Sequence, residues 1–138
     1  MKRLYLIRGL PGSGKSELAK LIRAGVTDGY AAHIEADDFC YVNGVYQWSA
    51  DKLAERHEKC RTTTEDAMSR PVPVIIVSNT FTTRAEMQPY YELAVTYGYT
   101  VREIAVSGKG LDDMVLSHKT IHGVPQDKIA AMRARWEA

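Results

Sequence analysis

Residues Gly9-Leu10-Pro11-Gly12-Ser13-Gly14-Lys15-Ser16 follow the short apolar run Leu4-Tyr5-Leu6-Ile7 and precede Glu17-Leu18-Ala19-Lys20-Leu21-Ile22-Arg23. In the second segment Leu18, Leu21 and Ile22 recur at helical spacing. The pattern G-x-x-x-x-G-K-S between a strand and a helix is a phosphate-binding loop in the setting it requires, and no other stretch constrains the fold as strongly. Glycines at 9, 12 and 14 open backbone conformations closed to other residues, so that several N–H groups can converge on a phosphate chain. The positive end of the following helix adds to that field. Lys15 is placed to reach the β- and γ-phosphates and the Ser16 hydroxyl to ligate Mg²⁺. Gly12, Ser13, Gly14, Lys15 and Ser16 are therefore the nucleotide-binding candidates, and Ser16 is also the metal candidate. A glycine-rich turn without a ligand would have no need of Lys and Ser together behind its last glycine.

A chain of 138 residues suits one domain over 1–138, large enough for a real core. The formal net charge of +1 argues against a uniformly basic face for long duplex, while leaving room for a local basic patch. Cys40 and Cys60 have no metal or redox spacing and read as buried free thiols of a reducing compartment. No apolar stretch is long enough to cross a bilayer. Arg8 and the phosphate loop cut short the run after Met1-Lys2-Arg3, so it does not read as a signal peptide. The expectation is a cytoplasmic protein without a membrane partner or an evident obligate protein partner.

Beyond the first helix, Gly25 and Asp28-Gly29 mark a stop and a turn. Ala31-Ala32-His33-Ile34-Glu35-Ala36 reads as a second strand that delivers Asp37-Asp38 at its carboxyl end, the edge where open α/β sheets bind ligands. Asn43-Gly44 between β-formers predicts a tight hairpin. Ser49 is placed as the N-cap of a helix reaching Ser69, with Trp48 and Leu53 spaced as a hydrophobic staple and Leu53, His57, Cys60, Thr64 and Ala67 or Met68 on one stripe. Val74-Ile75-Ile76-Val77 has the continuous apolar character of a parallel strand covered on both faces, and ends in Ser78-Asn79-Thr80. A helix from Arg84 to Tyr97, with Met87, Tyr90, Tyr91, Ala94 and Tyr97 inward, is closed by Gly98. Thr100–Val106 gives a fourth strand. A short helix from Leu111 to Ser117 and a polar connection to Val124 follow, and Pro125 opens a last helix with Ile129, Met132 and Trp136 on one face. Strands alternating with helices predict an α/β fold: a parallel sheet of about four strands flanked by helices, of the P-loop NTPase type.

Asp37 is the candidate general base. Phosphoryl transfer to an alcohol profits from a carboxylate that orients the attacking hydroxyl and takes its proton. A carboxylate one strand from the phosphate loop, at the same sheet edge, is placed for that work. The plain alternative is that Asp37 and Asp38 cap the chain as it leaves the strand, or hold a water on the metal. On an extended chain the two would point opposite ways. Residues 109–124 are expected to form a lid, with Lys119 or His122 as the cation brought to the transferring phosphate; an ordinary solvated lysine and a surface histidine are the alternative. His57 reads as a core-facing helix residue. Phe39, Tyr41, Tyr46 and Trp48 near Arg84 and Lys109 suit stacking on unpaired bases, or simply pack on each other. Asp38, Asn79, Thr80 and Arg84 are the substrate-binding candidates.

The ordered set Arg8-Gly9-Leu10-Pro11-Gly12-Ser13-Gly14-Lys15-Ser16, Asp37-Asp38-Phe39, Asn79-Thr80, Glu86-Met87-Gln88-Pro89-Tyr90 and His122-Gly123-Val124-Pro125 resembles the polynucleotide-kinase-like P-loop kinases over almost the whole chain. The resemblance implies ATP with Mg²⁺ as donor, a nucleic-acid hydroxyl as acceptor, and action of Asp37 on that hydroxyl. It implies phosphate-contacting arginines in the lid, where this chain has Lys119. It also implies an acidic residue and a second Asn around Asn79-Thr80, where this chain has Ser78 and Phe81. Phage relatives that phosphorylate 5-hydroxymethyluracil in DNA, a DNA-modification step, are compatible with a chain of this size. The expected reaction is transfer to a DNA hydroxyl, either that hydroxymethyl group or a 5′-OH. A kinase of small metabolites and a nucleotide-binding module that passes on no phosphate are the alternatives.

Overall fold

The computed structural model describes residues 1–27, 29–46, 50–106, 112–120 and 124–138. In chain order the elements are β1 (Arg3–Arg8), α1 (Lys15–Ala24), β2 (Ala31–Ile34), a 3₁₀ turn (Ala36–Cys40), β3 (Tyr41–Val42), β4 (Val45–Tyr46), a second 3₁₀ turn (Ala50–Lys52), α2 (Leu53–Ser69), β5 (Val74–Asn79), α3 (Arg84–Tyr97), β6 (Thr100–Ala105), α4 (Asp113–Lys119) and α5 (Gln126–Ala134). The main sheet is parallel throughout, in the order β2-β5-β1-β6. This is the predicted α/β fold, a four-stranded parallel sheet flanked by helices.

Alternation along β1 divides the core. Leu4 and Leu6 join Ile75, Val77, Cys60, Met68, Met87 and Tyr90 on one face, beneath α2 and α3. Ile7 joins Ala19, Ala31, Val74 and Ile76 on the other, beneath α1. Every residue of β5 is buried, as its unbroken apolar run requires. Cys40 and Cys60 are buried and form no disulfide among the described residues. Asn43 (φ 52°) and Gly44 (φ 81°) take the left-handed conformations that a two-residue hairpin demands.

Several details differ from expectation. Leu21 is 70% exposed because Ala19, between Leu18 and Ile22, is the residue that α1 presses on the sheet. The stripe on α2 starts at Arg56 rather than Leu53, which is 45% exposed at the first position of the helix. Tyr91 and Tyr97 are only half-buried because their hydroxyls reach outward to Glu103 and Glu65. Strand β2 ends at Ile34, and β5 lies between it and β1, so Asp37 comes from two strands away rather than one. Asp37 and Asp38 share a 3₁₀ turn, which replaces the extended geometry that would have pointed them apart. Trp48, Ser49, Lys109 and His122 lie outside the described residues.

Arg8 shows how the loop strand is anchored. It is 1% exposed, and its guanidinium donates to the Phe81 carbonyl at 3.0 and 2.8 Å and to the Glu137 carbonyl. It also lies 4.2 Å from the centroid of the Trp136 ring, with Glu103 at 3.8 Å. Phe81 has φ 45°, a costly conformation for a residue with a Cβ, and the grip on its carbonyl helps to hold it there. Arg8→Ala strands these buried acceptors and is expected to cost about 3 kcal/mol. A melting temperature lower by about 10 °C in circular dichroism would register that loss; an unchanged melt would remove Arg8 from the account of stability.

Candidate active site

The loop leaves the carboxyl end of β1 at the middle of the sheet and turns into α1 at Lys15. Gly14 caps that helix with φ 99°, and Gly12 has φ 78°. A Cβ on Gly12 would collide with the Leu116 carbonyl oxygen, so only glycine admits α4 this close to the loop. Leu10 completes the contact by packing on Leu116 and Ile129, with Val124, Met132 and Trp136 around them. The Ser13 hydroxyl is buried with no hydrogen-bond partner among the described residues.

Burial pushes the Lys15 ammonium below the ordinary lysine range, opposed by the charges of Asp37, Glu35 and Glu17 in that order. Asp37 thus stands first among the charges felt by the loop lysine, and both residues follow the carboxyl ends of parallel strands, Lys15 after β1 and Asp37 after β2. Asp37 is exposed. The turn beneath it is tied down on both sides. Asn79 Oδ1 accepts the Ala36 N–H at 2.8 Å, and Asn79 Nδ2 approaches Cys60 Sγ at 3.5 Å. Asp38 Oδ2 accepts the Glu35 N–H at 3.1 Å. Desolvation pushes the Asp38 carboxyl up, with the Glu35 N–H pulling against it and the Glu35 charge adding to the rise. Burial pushes the half-buried His57 of α2 down, with the Glu86 charge opposing and the Arg61 charge adding to the fall.

Sequence reasoning passed over Glu35. Its Oε1 accepts from Ser16 Oγ at 2.5 Å and from Ser78 Oγ at 2.6 Å, with His33 Nε2 at 3.1 Å. His33 Nε2 also lies 2.7 Å from Ser78 Oγ. Because the single Ser78 proton goes to Glu35, a proton must sit on His33 Nε2. Burial would raise the Glu35 carboxyl, but the hydrogen bonds from His33, Ser16 and Ser78 prevail and hold it down to about 2. A carboxylate two residues before Asp37 was the available signal in the sequence. A glutamate near the end of a strand has many ordinary explanations, and its contact with the loop depends on the fold.

The remaining candidates lie further out. Thr80 meets the loop through its carbonyl, which accepts the Gly9 N–H at 3.2 Å. Arg84 is exposed at the start of α3, with Nη1 2.6 Å from Glu103 and its own N–H donating to Glu137 at 2.6 Å. Lys119 is exposed and is the last residue of α4, a helix that runs two residues past its expected end. That helix is braced by Arg133 on Asp113 at 2.9 Å and by Ser117 Oγ on the Val124 carbonyl at 2.5 Å.

A family model described as an AAA domain matches residues 4–108. The chain belongs to this AAA domain family. Human NEDD4-binding protein 2 is 35% identical over 136 residues, which are 97% of this chain and 8% of that protein. The chain thus spans less than a tenth of that relative. Among solved structures, the Pnkp1/Rnl/Hen1 RNA repair complex contains a chain that aligns with TM-score 0.74 at 15% identity, over 97% of this chain and 43% of that one. A sugar kinase from Janibacter sp. aligns with TM-score 0.65 at 16% identity, over 100% of this chain and 79% of that one. At such identities the likeness concerns the fold, and the fold of this AAA domain is that of the P-loop kinases. No helix among the described residues is long and apolar enough to cross a membrane.

Proposed function

We propose that the protein is an ATP-dependent kinase that passes the γ-phosphate to a hydroxyl on DNA or another nucleic acid. The observation that carries the reading is the exposed Asp37 carboxylate in the turn after β2, whose charge stands first among those that oppose the burial of the Lys15 ammonium. In the proposed step the acceptor oxygen attacks the γ-phosphorus, the bond from that phosphorus to the β-bridging oxygen breaks, Asp37 takes the acceptor proton, and ADP leaves. Lys15 and the loop amides from Gly12 to Ser16 hold the triphosphate, and Ser16 offers its hydroxyl to Mg²⁺. Oxygen donors of this kind suit a hard cation, and Mg²⁺ when bound neutralises charge on the β- and γ-phosphates. Asn79 and Asp38 steady the turn that presents Asp37. Asp38, Thr80 and Arg84 frame the acceptor side, and Lys119 on α4 supplies the lid cation.

The nucleic-acid acceptor draws support from the motif set shared with polynucleotide-kinase-like enzymes and from the likeness in fold to a chain of an RNA repair complex. The test offers one preparation three matched DNAs with labelled ATP: one with a free 5′-hydroxyl, one with a blocked 5′ end, and one with a blocked end and an internal 5-hydroxymethyluracil. Label is expected on the first or the third and not on the second. Label on nucleosides or sugars with none on DNA would move the acceptor to small molecules. ATP binding with no transfer to any acceptor would leave a binding module.

A further inference from the structure

We propose that Glu35 is the carboxylate that positions the divalent cation of the bound triphosphate, in partnership with Ser16. The inference rests on the kinase reading above and gives a role to a residue which that reading does not use.

The end of β5 carries Ser78-Asn79-Thr80, a sequence with no carboxylate. The Asn79 amide is engaged on the Ala36 N–H and the Cys60 sulfur. The Ser78 hydroxyl is turned toward Glu35, with His33 against its other side. An acid therefore has to come from elsewhere if the cation is to have one. Glu35 provides it from the end of β2, across β5, with Oε1 2.5 Å from the hydroxyl of Ser16. In that contact Ser16 donates its proton, which leaves the hydroxyl lone pairs for a cation. Magnesium favours oxygen donors and is commonly held by one or two carboxylates together with substrate phosphates and retained waters. Ser16 and Glu35 are such a pair of oxygen donors.

His33 and Ser78 are positioning residues in this arrangement. Both contact Glu35 Oε1 or each other within 3.1 Å, and Ser78 is 2% exposed, so the carboxylate is held in one orientation before any ligand arrives. Groups that orient metal-holding side chains typically change metal affinity by about 10- to 100-fold when removed.

The test measures binding rather than turnover. Parent and Glu35→Gln are titrated by calorimetry with ATP in chelator and with ATP in Mg²⁺. Mn²⁺ affinity is then read by electron paramagnetic resonance in the complex with the β,γ-imido analogue of ATP. Glutamine keeps the shape and an acceptor oxygen but removes the charge. Metal-free ATP is expected to bind the variant at least as well as the parent, whereas Mn²⁺ binds it about 10-fold or more weakly. Glu35→Asp keeps the charge with a shorter reach and is expected to fall between the two. It also serves as the deciding variant if the glutamine form does not fold. A parent that binds ATP no better with Mg²⁺ than without it would bring down the kinase reading and this inference together. A parent that gains from the metal, beside folded variants with parental Mn²⁺ affinity, would overturn the role of Glu35 alone.

Discussion

Asp37→Asn is expected to slow phosphate transfer by about 10²- to 10⁴-fold while ATP affinity stays at or above the parental value. The asparagine side chain has the same outline and still offers an oxygen to an acceptor hydroxyl, but it does not take the proton. Asp37 is also the largest attractive charge on Lys15, so its neutralisation makes the lysine easier to deprotonate in the absence of nucleotide. Within the kinase reading that change is minor once the triphosphate, with several negative charges, lies against the ammonium. Single-turnover transfer measured beside equilibrium ATP binding separates the two effects. Parental transfer by the variant would remove Asp37 from the role of base and leave it as a cap on the 3₁₀ turn. Loss of ATP binding in step with transfer would make it part of the nucleotide site instead.

Lys15→Ala should give the opposite pattern, with ATP binding and transfer lost together. The ammonium is the loop's one full positive charge, and its desolvated setting strengthens its attraction for an incoming phosphate. Removing a preorganised donor to developing charge typically costs about 10²- to 10³-fold in rate. Here the ground-state contact with the triphosphate disappears as well, so the loss in kcat/KM should exceed the loss in kcat. The substitution also leaves the charges of Asp37, Glu35 and Glu17 without the lysine that they act on, and the negative field left behind further repels the nucleotide. ATP titration by calorimetry and initial rates at saturating acceptor would check both halves. Strong ATP binding by the variant would mean that the loop amides alone hold the triphosphate.

Much of this arrangement could be read in advance because local chemistry dictates it. The loop pattern needs only its own glycines, Lys15 and Ser16. The hairpin at Asn43-Gly44 follows from two residues that tolerate positive φ. The buried run from Val74 to Val77 declares itself by lacking any polar interruption. What escaped depends on contacts between distant segments. Periodicity carries no information on strand order, so the insertion of β5 between β1 and β2 was invisible, and with it the path from Glu35 across to Ser16. Arg8 stands next to the loop like a phosphate-seeking cation, yet it is spent on carbonyls more than 70 residues away in sequence. Asn79 read as a substrate contact, whereas its amide holds the backbone of Ala36, a contact that follows from the neighbouring positions of β5 and β2 in the sheet.

The contact of Leu116 with Gly12 and Leu10 bears on how this molecule should be handled. The matched family region stops at residue 108, but one wall of the nucleotide cradle is built by side chains and a carbonyl from residues 116 and 129. A fragment trimmed to the matched region would leave Leu10, now 7% exposed, facing water on the rim of the cradle, and would free the loop from the helix resting on Gly12. Such a fragment would be a different object from the intact chain, with a sticky and slackened mouth, and biochemical comparisons across relatives should keep both C-terminal helices in place.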